Sequence, residues 1–456
     1  MQDGEAKKDF PVFDCDSHIV EPEEIWNEYV PKAKRAYVKS HFYNPLVEHI
    51  KILNGRAYQY DSAGAISATA SSVPGRSSSE NKKLIGTYAP GTREYDEKVG
   101  RVASTWNPHA RLKDMDMMGI DQVMIFPSHM VYLPLVRAAD AATMITAAYN
   151  DWVYDYCEAD RTRLFPCGLV ALQDVAGAIK EVRRLAARGF RVVAVRPILW
   201  QGRYPTFPEF DPLWRELEAL GIVLGMHTFP ASEPLTEDLA RRMSQASASA
   251  DGESKLAMDE DGSGLWREVS VYSPGQMVQN IVNAMGQRVW AAENIGFIME
   301  AMTWTTVVLM TGWLEKFPRM KAAVLESNAT WLPMVLEKAE TYLEVHAYQN
   351  LSKVGNPVEV FYRQCCIAFE GDEDAVYRMS DVFENIGLWS SDFPHHDGAD
   401  AWEAIARMKK WGVPYDVQVK LMGGNARRLY GIEPVLKTTE RPKNYVPTLE
   451  PTVGRI

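Results

Sequence analysis

Acidic and imidazole side chains stand at the ends of several short apolar runs in this sequence. Asp16 and His18 close the first run, His227 closes a later one, and Glu326 and Asp392 close two more. Carboxylates and imidazoles gathered in one place repel each other and lose hydration unless a cation neutralises them. These residue types therefore indicate a metal site, provided that the fold brings the ends of the runs together.

The first pair has the spacing that a shared ion requires. Asp16 and His18 are two residues apart, so on a β-strand both side chains point to the same face. Each residue also has an ordinary interpretation: Asp16 bonded to a backbone turn with a solvated His18, His227 as a hydrogen-bonded core residue, and Asp392 as a turn cap. The metal interpretation depends on their occurrence together.

Eight short apolar runs carry these residues. The runs are bounded by turn residues, and most are continuous rather than alternating in hydrophobicity, as in parallel strands that are buried on both faces. The predicted strands are Val12–His18, Gln122–Phe126, Leu164–Leu172, Arg191–Arg196, Ile222–His227, Lys321–Glu326, Gln364–Phe369 and Ile386–Asp392.

Amphipathic stretches between the runs predict helices, namely Asp140–Ala159, Val175–Arg188, Asp211–Leu220, Leu332–His346 and Glu373–Glu384. Strands that alternate with helices favour an α/β fold, and eight of them match a closed (β/α)8 TIM barrel. An open doubly wound sheet fits less well because no GxGxxG follows the first strand. In a barrel the carboxyl ends of all strands meet at one mouth, so the acidic and imidazole residues would converge there.

Two polar segments interrupt the barrel pattern. The barrel is predicted to span residues 11–432, with long insertions at about 50–105 and 231–295 and a C-terminal extension over 433–456. Within the insertions, Tyr60–Lys98 and Ala231–Gly264 are rich in polar and small residues, which predicts loops. Both follow predicted strands and would emerge at the C-terminal face. Each is either a surface linker or a lid that excludes water.

The composition limits the partners. The net charge of −11 and the pI near 5.5 argue against nucleic acid or an anionic membrane surface, because either would repel the chain. Ile295–Leu314 is the most apolar stretch, but Glu300 interrupts it, so a buried helix is favoured over a membrane span. Five cysteines without CxxC spacing and no apolar signal near Met1 predict a cytoplasmic protein. A homo-oligomer is the default expectation, with Thr303–Trp313 as a candidate dimer face.

Several motifs resemble one known family. Asp-Cys-Asp-Ser-His-Ile-Val-Glu-Pro from Asp14, Arg-Leu-Lys-Asp-Met-Asp-Met-Met-Gly-Ile-Asp from Arg111 and Leu-Glu-Ser-Asn-Ala-Thr-Trp-Leu-Pro from Leu325 resemble the amidohydrolase-related (amidohydrolase-2) family of the amidohydrolase superfamily. Val-Arg-Pro from Val195, Gly-Met-His from Gly225 and Ser-Asp-Phe-Pro-His-His-Asp-Gly from Ser391 are similar to it as well. The similarity runs from about residue 12 to residue 430.

The resemblance implies a mononuclear or dinuclear metal centre at the barrel mouth. Its main ligands would be Asp16, His18, His227 and Asp392, with Asp16 in place of the first His of the family's usual His-x-His pair. Arg196 stands where the superfamily has a bridging Lys on the fourth strand. The site would therefore hold more carboxylate than the family's usual zinc site.

A second departure leaves the number of ions open. Glu326 replaces the usual sixth-strand His, and together with His395 or His396 it would complete a second metal site. In the alternative, Glu326 pairs with Arg196 and the two histidines form only hydrogen bonds. Carboxylates and imidazoles suit Zn, Mn or Fe. Zinc is the usual metal of the family, and iron or manganese is expected if the centre is dinuclear.

The resemblance implies a metal-dependent hydrolase or a non-oxidative decarboxylase (carboxy-lyase) that acts on a small carboxylate-bearing substrate. The metal would polarise a carbonyl or carboxylate oxygen and lower the pKa of a bound water towards about 7. Asp392 would be both ligand and base. Arg196 would hold a substrate carboxylate, unless it forms an ion pair at the barrel end. His129 would be a proton shuttle, unless it is an ordinary surface histidine.

Two other functions are compatible with the sequence. A few proteins on the same scaffold resemble dinuclear Fe/Fe or Mn/Fe monooxygenases, and carboxylate-rich ligation by Asp16, Glu326 and Asp392 fits that chemistry. Others keep the barrel and lose the chemistry, so that the chain would be a catalytically silent structural subunit, paired with a homologous subunit. The metal content of the purified protein would separate these alternatives.

Overall fold

A computed structural model describes residues 7–43, 50–59, 71–88, 92–229, 289–349 and 354–449. Within these residues, eight parallel strands form one sheet in chain order. Each strand prediction is confirmed, with ends that differ by a few residues at most. The strands are β1 (Phe13–Ile19), β2 (Gln122–Pro127), β3 (Leu164–Leu169), β4 (Val192–Val195), β5 (Val223–His227), β6 (Ala322–Leu325), β7 (Cys365–Glu370) and β8 (Gly387–Ser390).

The sheet curves until its first and last strands meet. The backbone N–H of Asp392 donates to the carbonyl oxygen of Asp16 at 3.2 Å, and the N–H of Ser391 donates to the Asp14 carboxylate at 2.9 Å. Every residue of β1 and β2 is buried, as expected for strands that are covered on both faces. The fold is therefore the nearly closed (β/α)8 barrel that the sequence predicted.

Helices surround the barrel. Four of the five predicted helices are confirmed, but the predicted helix Glu373–Glu384 is wrong as a single element, because Met379 (φ −111°, ψ 37°) leaves the helical region and divides it. The α-helices of the described residues are α1 (Arg35–His41), α2 (Ser78–Thr87), α3 (Arg93–Lys98), α4 (Pro108–Met118), α5 (Ala139–Cys157), α6 (Val175–Ala187), α7 (Asp211–Leu220), α8 (Val289–Met310), α9 (Leu332–Val345), α10 (Pro357–Gln364), α11 (Asp374–Arg378), α12 (Ser380–Phe383), α13 (Ala401–Lys410), α14 (Tyr415–Val419) and α15 (Asn425–Tyr430).

Local sequence explains how helices are joined to strands without long loops. Asn107 begins α4, where its side-chain oxygen accepts the N–H groups of His109 and Ala110. Gly119 ends α4 with φ 76°, and Gly221 ends α7 with φ 67°, both in the left-handed region that glycine enters without steric cost. Each glycine turns the chain sharply, so the next strand begins within three residues and keeps its register in the barrel.

The first insertion contains more structure than the sequence predicted. The expectation of a loop over Tyr60–Lys98 is wrong for its described part, which includes α2 and α3. The Ser77 hydroxyl accepts the N–H of Glu80 at 3.2 Å and caps α2, while Thr92 caps α3 in the same way. Ser77 and Thr92, two of the small polar residues in this segment, are thus helix caps. A small antiparallel sheet precedes these helices, formed by Phe42–Tyr43, Ile50–Leu53 and Arg56–Gln59.

This insertion reaches the loop that follows β8. The N–H of Ser72 donates to the carbonyl oxygen of Pro394 at 3.2 Å, and its hydroxyl donates to Gly398 at 3.3 Å. The hydroxyl of Ser78 donates to Glu403 at 2.6 Å. Part of the insertion therefore forms a wall at the barrel mouth. The other predicted loop, Ala231–Gly264, lies outside the described residues.

The most apolar stretch is a helix, as predicted. It forms α8, in which Trp304, Val308 and Leu309 are buried against the barrel. Across the described ranges, no helix combines the length and the apolar character that a bilayer crossing requires. The long apolar sequence is explained by packing against the core.

Candidate metal centre

Four side chains meet at the carboxyl end of the barrel. Asp16 and His18 lie in β1, His227 ends β5, and Asp392 follows β8 by two residues. The Nε2 atom of His18 lies 3.5 Å from Oδ1 of Asp16, 3.4 Å from Oδ1 of Asp392 and 3.4 Å from Nε2 of His227. His227 Nε2 lies 3.7 Å from Asp16 Oδ1. The structure thus brings together the four residues predicted as main ligands.

The two imidazoles are oriented by backbone carbonyl groups. Nδ1 of His18 lies 2.9 Å from the carbonyl oxygen of Pro127, and Nδ1 of His227 lies 2.9 Å from that of Thr228. A carbonyl oxygen only accepts hydrogen bonds, so each Nδ1 carries the proton and each Nε2 presents a lone pair to the centre. This is the arrangement in which histidine binds a metal, with its outer nitrogen bonded to the protein.

Two neighbouring carboxylates of β1 have opposite surroundings. Asp14 accepts hydrogen bonds from the backbone N–H and the hydroxyl of Ser391, at 2.9 and 2.5 Å. Asp16 is 1% exposed, and neither of its carboxylate oxygens has a hydrogen-bond partner among the described residues. A buried carboxylate without donors is strongly destabilised unless a cation or a proton compensates it. Asp14 therefore joins two strands, whereas Asp16 is available as a ligand.

The spacing of the donors fits a divalent ion. Donor atoms about 2.1 Å from a four-coordinate ion lie about 3.4 Å from one another, and the pairs described above are separated by 3.4 to 3.7 Å. Glu326 forms one group with Asp16, His18 and His227 in which the possible ligand atoms all lie within 4.8 Å. The residues present therefore fit a metal with mixed carboxylate and imidazole ligands.

Both acidic residues that approach from β6 and β8 have a left-handed backbone. The φ angle is 53° at Glu326 and 49° at Asp392, and Asn328 in the same loop as Glu326 has φ 53°. This region costs a residue with a side chain about 1 kcal/mol or more, and such positions cluster at functional sites. Surrounding contacts hold them, such as the hydrogen bond from Asp392 N–H to Asp16. The tertiary structure therefore stabilises a local geometry that the residues do not prefer.

Burial changes the protonation of the carboxyl groups. It raises the pKa of Asp16 well above the usual range, and repulsion from Asp14 adds to the effect. Burial also raises the pKa of Asp392, with further contributions from nearby carboxylates that include Glu326. Without a cation the two carboxyl groups retain protons to unusually high pH, so that a metal ion must compete with protons for them.

Burial acts on the imidazoles in the opposite direction. It lowers the pKa of His227 to about 3. It lowers the pKa of His18 well below the usual range, and repulsion from His395 and His227 adds to the effect. Both rings are therefore neutral near pH 7, which is the form that binds a metal.

His395 lies directly beside these ligands. Its Nδ1 atom is 2.7 Å from Oδ1 of Asp392, its Nε2 atom is 2.9 Å from Oγ of Ser128, and its ring stacks on His18 at 4.2 Å. With His18 and Asp392 it forms a second group of donor atoms within 4.8 Å of one another. Of the two histidines predicted for a second site, the structure brings His395 to the centre. His396 belongs to neither donor group found among the described residues.

The family assignment follows from the whole barrel and not from one motif. The family model described as Amidohydrolase, the amidohydrolase-2 family, matches residues 14–432. The chain belongs to this family. The match contains the four residues predicted as main ligands and every strand of the barrel except the first residue of β1. No curated protein matches the sequence, so the family is assigned without a curated relative.

Solved structures with the same fold include an amidohydrolase from Mycobacterium avium subsp. paratuberculosis K-10, with 20% identity, a TM-score of 0.66 and coverage of 93% of this chain and 100% of that one. The 5-carboxyvanillate decarboxylase from Sphingomonas paucimobilis has 17% identity, a TM-score of 0.56 and coverage of 93% and 100%. The dihydroxybenzoic acid decarboxylase from Polaromonas sp. JS666, solved with bound manganese and 2-nitroresorcinol, has 14% identity, a TM-score of 0.52 and coverage of 93% and 97%. At these identities the likeness establishes the fold.

Arg196 follows the last residue of β4 at the barrel mouth. Its guanidinium forms a buried ion pair with Glu300 of α8 at 2.7 Å and also donates to the carbonyl oxygens of Val131 and Phe229. The second oxygen of Glu300 accepts the N–H of Phe229 at 2.7 Å. The alternative prediction for Arg196, an ion pair at the barrel end, is confirmed, and its partner is Glu300. Its predicted role in substrate binding remains a prediction.

An apolar pocket adjoins the centre in this amidohydrolase family member. Met130, Val131, Leu133 and Trp200 line it, together with Arg196 and His227. The Nε1 atom of Trp200 donates to the carbonyl oxygen of Arg196 at 3.0 Å, so the hydrogen-bond donor of this indole already has a partner. His227 therefore contacts both the ligand group and the pocket.

Two residues that support the centre were not predicted from the sequence. Glu21 is buried, and its carboxylate accepts the N–H groups of His129 and Met130 at 2.9 to 3.0 Å. Burial raises the pKa of Glu21 to about 7. Ser128 bonds to His395. The sequence features that could have indicated these two residues are the position of Glu21, three residues after His18, and the position of Ser128, next to His129. His129, the predicted proton shuttle, has Nδ1 3.6 Å from Glu21 and lies outside both donor groups.

Proposed function

We propose that this protein is a metal-dependent carboxy-lyase that removes carbon dioxide non-oxidatively from a small carboxylic acid with an apolar body. The observation that carries the proposal is the position of His227, which faces the ligand group through Nε2 and also lines the apolar pocket with Met130 and Leu133. The cavity is narrow, with room for about one water molecule, so a carboxylate held at the centre would have only the nearest carbon atoms of its skeleton among these apolar side chains.

The residues of the chain have distinct roles in this proposal. Asp16, His18, His227 and Asp392 would hold the metal, which when bound supplies a Lewis acid that polarises substrate oxygen atoms. The apolar walls beside the centre exclude water from the bound substrate, so its carboxylate loses the hydration that stabilises it in solution. This environment favours its loss as neutral carbon dioxide. The carbon atom that loses carbon dioxide must gain a proton. This proton must come from solvent, and we assign its relay to the carbon atom to the Asp392 carboxyl group, whose burial raises its pKa and so favours uptake of a proton.

Solved structures of relatives support decarboxylation as the proposed reaction. Two of the solved relatives are decarboxylases of substituted aromatic acids, and one was solved with manganese. The donor set of this chain suits manganese as well as zinc, because both accept carboxylate and imidazole ligands. We therefore propose a small aromatic or similarly apolar acid as substrate and Mn²⁺ or Zn²⁺ as the metal.

Hydrolysis at the same centre is the second candidate. Asp392 would then act as the base for a water molecule, and the relative named an amidohydrolase has the higher TM-score, 0.66 against 0.56 for the carboxyvanillate decarboxylase. No comparison supports the dinuclear monooxygenase alternative. A homo-oligomer, a paired homologous subunit and a cytoplasmic location stay predictions from the sequence.

The test measures metal content and carbon dioxide release together. Protein purified without chelator is analysed for metal, loaded with Mn²⁺ or Zn²⁺, and incubated with benzoic acids that carry ¹³C in the carboxyl group, in heavy water. We expect metal-dependent release of ¹³CO2 and one deuterium at the vacated carbon. Asp392→Asn and Asp16→Asn should abolish release, whereas Glu344→Gln, an exposed carboxylate on α9, should not.

Other outcomes would contradict the proposal. Cleavage of esters or amides without ¹³CO2 release would favour hydrolysis. Oxygen uptake with two iron or manganese ions per chain would favour the monooxygenase. A wild-type protein that binds no metal under any loading condition would favour the structural subunit.

A further inference from the structure

His395 is held at both nitrogens and on one ring face. Nε2 lies 2.9 Å from Oγ of Ser128, and Nδ1 lies 2.7 Å from Oδ1 of Asp392. The ring stacks on His18, with centroids 4.2 Å apart and an interplanar angle of 29°. A rotation of the ring would break all three contacts, so its orientation is fixed by the surrounding structure.

The Ser128 hydroxyl determines where the proton of this ring lies. Its Oγ atom is 2.7 Å from the carbonyl oxygen of Ile19, which can only accept, so Ser128 donates its single proton there. Towards His395 the hydroxyl must therefore accept, and His395 donates from Nε2. A neutral ring then has no proton on Nδ1, and the Nδ1 lone pair faces Asp392.

A lone pair on Nδ1 and a carboxylate oxygen at 2.7 Å repel each other unless a cation or a proton lies close to both. The same two atoms belong to the donor group that includes His18. We propose that Ser128 is a positioning residue that directs the Nδ1 lone pair of His395 to the metal centre, which makes His395 a further ligand beside Asp392. The inference rests on the metal dependence of the proposed function.

The end of β2 orients both rings of the stacked pair. The carbonyl oxygen of Pro127 accepts from Nδ1 of His18, and the hydroxyl of the next residue, Ser128, accepts from Nε2 of His395. Glu21 fixes the chain immediately after Ser128, because its carboxylate accepts the N–H groups of His129 and Met130. Two consecutive residues thus act as the outer hydrogen-bond partners of two imidazoles, as is usual for histidines that bind metals.

The order Ser128, His395 and Asp392 resembles a nucleophilic triad, but its hydrogen bonds run in the wrong direction. In such a triad the serine donates its proton to the histidine, which then acts as the base. Here the hydroxyl proton is bonded to the carbonyl oxygen of Ile19. Ser128 is therefore placed to accept from His395 and not to attack a substrate.

Metal affinity tests the role of Ser128 without reference to any substrate. Full-length metal-free protein is titrated with Mn²⁺, and free Mn²⁺ is followed by electron paramagnetic resonance. We expect Ser128→Ala to weaken binding about 10-fold or more, as for other outer partners of ligating histidines. Ser128→Thr keeps a hydroxyl and should restore binding. Thr146→Val removes a buried hydroxyl that, within the described residues, donates to the Thr143 carbonyl oxygen on its own helix, and this variant should leave the affinity unchanged.

Two further measurements separate positioning from a general loss of structure. In a His395→Ala background, Ser128→Ala should cause no additional loss, because its effect passes through the absent ring. In the ¹⁵N-labelled, zinc-loaded protein, His395 should carry its proton on Nε2. A proton on Nδ1, equal losses in both backgrounds, or unchanged Mn²⁺ affinity in Ser128→Ala would overturn the inference. If metal binding behaves as expected and no carbon dioxide is released, only the proposed reaction fails.

Discussion

Removing one partner of the buried ion pair between Arg196 and Glu300 should destabilise the fold far more than removing one partner of a well-formed pair on the surface. Both side chains are 4% exposed, and Glu300 also accepts the N–H of Phe229. Glu300→Leu would leave the guanidinium charge without its partner and the N–H of Phe229 without an acceptor. Removing one partner of a buried pair costs about 3–5 kcal/mol. For a chain of 456 residues this corresponds to a fall in Tm of about 3–5 °C, if unfolding is a single transition.

The surface pair of Arg183 and Glu216 provides the control. Its two hydrogen bonds are both 2.8 Å long, but the Arg183 side chain is 61% exposed. Glu216→Ala should therefore cost less than about 1 kcal/mol. Differential scanning calorimetry would measure both variants. The double variant Arg196→Met with Glu300→Leu should recover part of the loss, because no unpaired charge stays buried. An unchanged Tm in Glu300→Leu, or a large rise in KM in Arg196→Met with no change in Tm, would refute this reasoning and favour a substrate role for Arg196.

Three other perturbations have expected outcomes. Burial raises the pKa of Asp16 and of Asp392, so the metal-free protein holds their protons tightly. The apparent Kd for Mn²⁺ should therefore rise as the pH falls from 8 to 6, by up to about tenfold per pH unit for each proton that the metal displaces. An affinity that does not depend on pH would contradict this expectation. Saturating metal at about 100 times its Kd should stabilise the fold by about 2.7 kcal/mol, and removal with a chelator should lower Tm accordingly. Gly119→Ala should lower Tm more than Gly189→Ala. Both glycines have a positive φ, but only at Gly119 would the new Cβ atom lie 2.6 Å from the Trp402 ring. Equal changes in Tm would show that the Trp402 side chain moves aside without a cost in stability.

The barrel could be predicted from the sequence because its determinants are local. Continuous apolar runs specify strands buried on both faces, and glycines such as Gly221 mark where helices end. The spacing of Asp16 and His18 also has a local consequence, since alternate residues of a strand share a face. The predictions that were wrong, the loop over Tyr60–Lys98 and the single helix over Glu373–Glu384, concern segments in which capping residues or one change of backbone angle decide the outcome.

The sequence by itself determined the strand order and the residue types at the barrel mouth, and from these it predicted a cation site. Only the tertiary structure decided which of these residues meet. His395 rather than His396 enters the donor group, Ser128 bonds to a ring 267 residues away, and Arg196 finds its partner 104 residues along the chain. Such contacts depend on how loops from different strands approach one another. The free energy of a charge or hydrogen bond is set by burial and distance, and neither is encoded in the spacing of residues along the chain.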